Sequence, residues 1–311
     1  MNKVNNNNLT DNVYHYYKDE ETGEILALDI NTGEVLKTKE YIVPCGTKIY
    51  TPKSQERYKA QQNIKLKRWL YKTNNKPLGS YYFVSAIMDY LDLNPATVTR
   101  LIYLNTFLSY SGRYITPNGR SINRENLHRV LKISKSTTSR FWNEVSPTYI
   151  QSDNDGIFLS NKTDFLRGEL DKRKFKPYQQ IYIEGVRRLY EAAQIPDHKS
   201  IGYIFLLLPF INREYNILCH NPFECDIDKI IPMSLHEFCD QIGFDKSHVS
   251  KLVTKLKKIC FTVNDHMENF ISFVSDGGRL SQYKMFINPH ILYCGSDYKK
   301  VEVLGAFHNA Q

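Results

Sequence analysis

The stretch Pro232–Ile259, PMSLHEFCDQIGFDKSHVSKLVTKLKKI, decides how this chain is read. Met233, Leu235, Phe238 and Ile242 fall on one helical face behind the cap candidate Ser234, and Gly243 ends that helix. A second helix opens at Ser247 with Val249, Leu252, Leu256 and Ile259 inward, so the spacing predicts two short helices joined by a tight turn. That second helix turns Lys246, Ser247, His248, Ser250, Lys251 and Lys255 outward. Short hydrogen-bonding groups mixed with cations suit a helix lying in a DNA major groove. Downstream, Phe261–Val263, Phe270–Val274 and Tyr283–Ile287 alternate like strands around the turn Ser275–Gly278, which is the pattern of a β-wing following a recognition helix. An amphipathic helical hairpin with a solvated lysine face gives the same local pattern, so the stretch alone leaves both readings open.

A second copy of the pattern favours DNA. Ser121–Val145, SINRENLHRVLKISKSTTSRFWNEV, superposes without a gap at an offset of 111 residues (247 − 136). Ser136 falls on Ser247, Ser139 on Ser250, Arg140 on Lys251 and Phe141 on Leu252, while Leu127, Leu131 and Ile133 fall on Phe238, Ile242 and Phe244. Its outward groups are Lys135, Ser136, Thr137, Ser139, Arg140 and Asn143; Thr138 takes the slot of the apolar Val249. Further back, Leu101–Phe107 (LIYLNTF) matches Ile204–Phe210 (IFLLLPF), and Tyr82-Phe83-Val84 matches Ile181-Tyr182-Ile183. Offsets that drift from unit to unit are those of a duplicated unit with insertions in its loops. The expected fold class is therefore mainly α with small β-wings (α+β): two tandem winged helix-turn-helix domains preceded by an N-terminal β-hairpin or meander and a basic helix.

With 311 residues, 41% of them hydrophobic, the chain has room for two or three packed domains. Its net charge of +8 and a pI near 9.0 favour a polyanionic partner, most simply double-stranded DNA. Six irregularly spaced cysteines, with no apolar leader and no long uncharged apolar run, point to a reducing cytoplasm, in association with the nucleoid. Abundant Asn, Lys, Ile and Tyr are compatible with an AT-rich bacterial or phage genome.

Residues 1–76 are expected to comprise an Asn-rich disordered start, a β-meander over Tyr14–Val43 with Gly at two similar bends, and a basic helix carrying Arg57, Lys59, Lys65, Lys67, Arg68, Lys72 and Lys76. Residues 77–170 form the first winged-helix domain, with helices over Val84–Leu91 and Pro95–Leu108, the latter capped by Asn94. A linker at 171–179 contains the charged run Asp171–Lys176 closed by Pro177. The second domain, 180–295, has helices at Glu184–Ala193 and Ser200–Ile211, and 296–311 is a C-terminal tail, frayed over Leu304–Gln311.

Cys219, His220, Cys225, His236 and Cys239 fall within 21 residues but match no two-plus-two zinc spacing, so neither a metal nor a cofactor is expected. There is no P-loop, no His-x-His pair and no zinc-protease helix, so the chain reads as a binder without catalysis. Over NILCHNPFECDIDKIIPMSLHEFCDQIGFDKSHVSKL (residues 216–252), with Leu78–Val84 and the TGE turns, it resembles winged-helix proteins of Gram-positive phages and plasmids. That group is similar to RepL-type replication proteins and, more distantly, to MarR-like regulators. The resemblance implies a mobile-element protein binding a bipartite DNA site in replication initiation or its control, with host replication or transcription proteins as further partners. A transcriptional regulator at phage or plasmid promoters is the alternative, and winged helices devoted to protein contacts are a third reading that two cationic helices disfavour. Oligomeric state is left open.

Overall fold

Asn94 and Pro95 start the helix around which most of the chain is built. The Asn94 side chain accepts from Ala96 N at 3.0 Å, and proline in the first turn gives up no intrahelical hydrogen bond. The computed structural model describes residues 14–18, 25–29, 32–36, 57–59, 61–62, 65–66, 69, 73–85, 92–110, 112–160, 165–168, 177–275 and 283–308. They fall into two units, 1–64 and 65–311.

In the first unit, β1 (Tyr14–Lys18), β2 (Ile25–Asp29) and β3 (Val35–Leu36) form an antiparallel sheet in that order. Gly33, at φ +72°, takes the bend before β3, and Asp29 Oδ1 accepts from Thr32 N at 3.3 Å. Residues 57–59 and 61–62 are helical and exposed, Arg57 and Lys59 among them.

In the second unit, α1 (Pro95–Asn105) is buried on every side from Thr97 onward, its polar Thr97, Thr99, Arg100 and Asn105 included. Its partner is α5 (Asp197–Phe205), the helix that matches it in the sequence repeat; α4 (Ile183–Ala192) packs beside them. The matching strands also meet. β4 (Tyr81–Ser85) pairs antiparallel with β8 (Tyr178–Tyr182), putting Tyr82 opposite Ile181, and β7 (Phe165–Leu166) pairs on its other side. A buried cluster running from Tyr82 to Leu292 makes one continuous hydrophobic core.

This corrects the expected fold class. The chain is α+β with several small antiparallel sheets, and it does not form two tandem winged helix-turn-helix domains. Its two halves share a strand pair, a helix pair and a core. Polar contacts lock them further. Tyr190 OH donates to Leu131 O at 2.7 Å, Thr99 Oγ1 to His198 O at 2.7 Å, and Arg187 Nη2 to Thr106 O at 2.8 Å while its guanidinium lies 4.3 Å from the Phe107 ring. The expected linker Asp171–Lys176 lies outside the described residues, as do 86–91 of the helix expected over Val84–Leu91; Val84 and Ser85 belong to β4.

Two helix–turn–helix segments hang on this frame. α2 (Leu127–Val130) and α3 (Lys135–Val145) are followed by the hairpin β5 (Ile150–Asp153) and β6 (Gly156–Leu159). α6 (Leu235–Gln241) and α7 (Val249–Lys258) precede β9 (Cys260–Val263) and β10 (His266–Asn269), then β11 (Ile271–Ser275) and β12 (Tyr283–Ile287). β10 lies between the stretches Phe261–Val263 and Phe270–Val274 that the sequence marks as strand-like. In the C-terminal tail Tyr298–Gly305 forms α8, and Phe307, within the stretch expected to fray, is buried.

Between α1, α4 and α5 the imidazole of His198 is only 2% exposed, stacked 4.4 Å from the Tyr190 ring. Burial, with the Arg100 charge adding to it, pushes its pKa from 6.5 down to about 4. The folded state thus holds a neutral imidazole that the unfolded chain protonates more readily, so the stability it contributes is complete above pH 6.5 and drains away as pH falls toward 4. The loss amounts to about 3 kcal/mol at most. Urea unfolding of wild type between pH 7 and pH 4 should show this decline, and His198→Phe should flatten most of it.

Candidate nucleic-acid interface

Both helix–turn–helix corners are built alike. In the first, Leu131 N donates to Leu127 O (3.0 Å) and Ile133 N to His128 O (3.2 Å); 111 residues on, Ile242 N donates to Phe238 O (3.3 Å) and Phe244 N to Cys239 O (2.8 Å). The residue that turns the corner is left-handed in each: Lys132 at φ +52° and Gly243 at φ +62°. After it comes a cap, Ser134 in one and Asp245 in the other, accepting from Thr137 N (3.2 Å) and Ser247 N (2.9 Å). The earlier helix of the second corner also begins with a full capping box between Ser234 and Glu237.

On α3, Lys135, Ser136, Ser139, Arg140 and Asn143 are exposed and Thr137 is half-buried. The hydroxyls are partly occupied. Those of Ser136 and Thr137 lie 3.0 and 2.9 Å from Ser134 Oγ, and Ser139 Oγ donates to Lys135 O at 3.1 Å. Thr138, the polar residue in an apolar slot, is buried with its hydroxyl bonded to Ser134 O at 2.9 Å, so the polar atom is satisfied within the helix.

The second segment differs at its start. Lys246, Ser247 and His248 form a 3-10 turn, and the α-helix begins at Val249, two residues later than the sequence suggests. Lys246 Nζ is held 2.7 Å from Asp240 Oδ1, and Ser247 Oγ lies 3.4 Å from His248 Nδ1. Ser250, Lys251 and Lys255 are exposed. Lys255 also sits in the last turn with Lys257 and Lys258, where cations oppose the helix dipole whatever else they do. Among the described residues, Lys135, Arg140, Lys251 and Lys255 form no ion pair.

α3 packs on α1, and α7 packs on α5, so the two candidate helices flank the central α1–α5 pair. Arg124 and His128 beside α3 lie outside the residues that the sequence singled out. Arg124 and His128 line an open depression with Glu125, Lys135, Thr138 and Ser139, and the Arg124 guanidinium lies 5.6 Å from the Trp142 ring. Their four-residue spacing was the available signal. The hairpin tip after α3 is acidic for a structural reason: Asp153 Oδ1 accepts from Asp155 N and Gly156 N, and Asp153 Oδ2 accepts from Tyr114 OH at 2.8 Å. That bond from Tyr114 holds the Asp153 carboxyl below its ordinary range.

No family pattern, curated protein or solved structure matches this chain. Among the described residues, no helix is long and apolar enough to cross a membrane. Of the cysteine and histidine residues noted in the sequence, Cys219 and Cys239 are buried free thiols, and burial pushes Cys219 up to about 11. Cys225 is exposed, His236 is exposed, and His220 Nε2 lies 3.3 Å from Glu237 Oε1.

Proposed function

We propose that this chain is a sequence-specific double-stranded DNA-binding protein that presents α3 and the 246–258 segment to two neighbouring sites on one duplex, and acts by binding. The observation that carries this reading is the pair of equivalent corners, each delivering exposed cations, Arg140 in one and Lys251 in the other, that no carboxylate of the described residues neutralises. Exposed unpaired cations beside short hydroxyl and amide groups are what phosphate positioning and base-edge contacts require. The resemblance over residues 216–252 favours replication initiation or its control in a mobile element as the setting. Because the outward residues differ between the two segments, with Thr137 and Asn143 in one and His248 in the other, the preferred site has two unlike halves.

Selection from a randomised duplex library followed by footprinting of the winner tests this. The expected result is a bipartite footprint with centres about one helical turn, roughly 34 Å, apart, and an affinity that falls steeply with salt. Equal affinity for the selected duplex and a scrambled one would remove sequence specificity from the reading.

A further inference from the structure

Away from both helix–turn–helix corners, three side chains from separate elements converge at the C-terminal end of the fold. Glu268 comes from β10, His290 from the loop after β12 and Glu302 from α8, and one ligand atom of each lies within 4.8 Å of the other two. Glu268 is 3% exposed, and Glu302 Oε1 lies 3.1 Å from His290 Nε2. No lysine or arginine among the described residues makes an ion pair with either carboxylate. Buried Glu268, half-buried Glu302 and the imidazole of His290 thus bring two carboxylates and a ring nitrogen within reach of one ion.

The surroundings are those of a ligand set held in place. Buried Asn288 donates from Nδ2 to Glu268 Oε2 at 2.8 Å, and its Oδ1 accepts from His290 N at 2.9 Å, so one amide orients two of the three groups. The His290 backbone is fixed from the other side by Gly185 of α4, where any Cβ would overlap the His290 carbonyl. His308 pairs with Glu268 across an antiparallel bridge, which puts the two side chains on the same face. His308 is exposed and stands beside the trio.

We propose that Glu268, His290 and Glu302 bind a divalent first-row transition ion of the zinc type, with His308 or water in the fourth position. A tetrahedral zinc with bonds of about 2.1 Å spaces its ligands roughly 3.4 Å apart. The trio therefore closes on an ion by side-chain movement of about 1 Å. One nitrogen and two carboxylate oxygens suit zinc or manganese better than magnesium, which prefers all-oxygen coordination. Such an ion pins α8 and the segment after it to the β9–β10 hairpin, so its role is to fix the C-terminal end of the fold.

The test is zinc chloride titrated into the full chain, read by calorimetry and by thermal unfolding, in a background where Cys225→Ser and His236→Gln remove accessible competing donors. One equivalent of zinc should bind and raise the melting temperature, with manganese weaker and magnesium without effect. Glu302→Gln, a near-isosteric change at a half-buried helix position, should weaken zinc binding at least about 100-fold while leaving the circular dichroism spectrum unchanged; His308→Gln should weaken it about 10-fold. Failure of the chain to bind zinc, unchanged binding in Glu302→Gln, or equal binding of magnesium each overturns the site.

Discussion

Gly202→Ala should unfold the first half of the chain along with the second. Gly202 lies on α5 where it crosses the start of α1, and a Cβ there would overlap the carbonyl group of Pro95. The obstacle is backbone at a capped, proline-started helix end, which cannot swing aside as a side-chain tip could. Overpacking of this kind costs about 4 kcal/mol or more when neither helix can retreat. The readout separates one shared core from two domains. Trp142, in α3, is buried in the first half; Trp69, the other tryptophan, is 61% exposed and is removed by Trp69→Phe. In that background the fluorescence midpoint of Trp142 in urea should fall together with the circular dichroism midpoint when Gly202 is replaced. An unmoved Trp142 transition would mean that the halves unfold independently. For the same reason, chains cut near Lys174 should not fold as separate halves, since each would expose its side of the α1–α5 contact and one strand of the β4–β8 pair.

Local features of this fold were legible in the sequence because they depend on neighbours a few residues away. Ser234, Asn94 and Gly243 announce caps and a corner through side-chain chemistry that needs no tertiary partner. The 111-residue offset aligns two corners whose left-handed residues are Lys132 and Gly243, although Lys132 gives no conformational hint by itself. The way the two copies assemble was not legible. Alternation in Tyr81–Ser85 and Tyr178–Tyr182 marks strands, yet nothing in it names the partner, and here each copy's strand pairs with the other's. A largely apolar stretch such as LIYLNTF is equally at home in the centre of a small domain or between two halves of a larger one.

At the candidate interface the sequence identified which residues face outward but not which are already engaged. Lys246 and Lys251 look alike in the sequence; in the fold one is held by Asp240 and the other is unpaired. The Glu268, His290 and Glu302 cluster had no sequence signal, because its members are widely and irregularly spaced and come from a strand, a loop and a short helix. The helix that supplies Glu302 spans only Tyr298–Gly305, too short for a clear apolar period.

Unequal engagement of the lysines sharpens the test of DNA binding. Arg140→Ala and Lys251→Ala should each weaken binding to the selected duplex by roughly 1–3 kcal/mol where the side chain meets a base edge, a loss of about 5- to 150-fold, with little change toward scrambled DNA. Where it meets phosphate instead, the loss should be smaller, shared by both duplexes, and accompanied by a salt slope shallower by about one. Lys246→Ala should have the least effect of the three, since its ammonium is committed to Asp240 at 2.7 Å and its removal frees a carboxylate that water readily solvates. Because the two helices are fixed to one core, the two contacts are made by a rigid body, and the double variant should lose about the sum of the single losses, roughly 2–6 kcal/mol. Competition binding at two salt concentrations, using the selected and scrambled duplexes in parallel, reads all four variants. If Lys246→Ala proved as damaging as Lys251→Ala, the ion pair would have to open on binding and the contact face would shift toward α6. If neither Arg140→Ala nor Lys251→Ala changed any affinity, both corners would lose their assignment as DNA-reading elements.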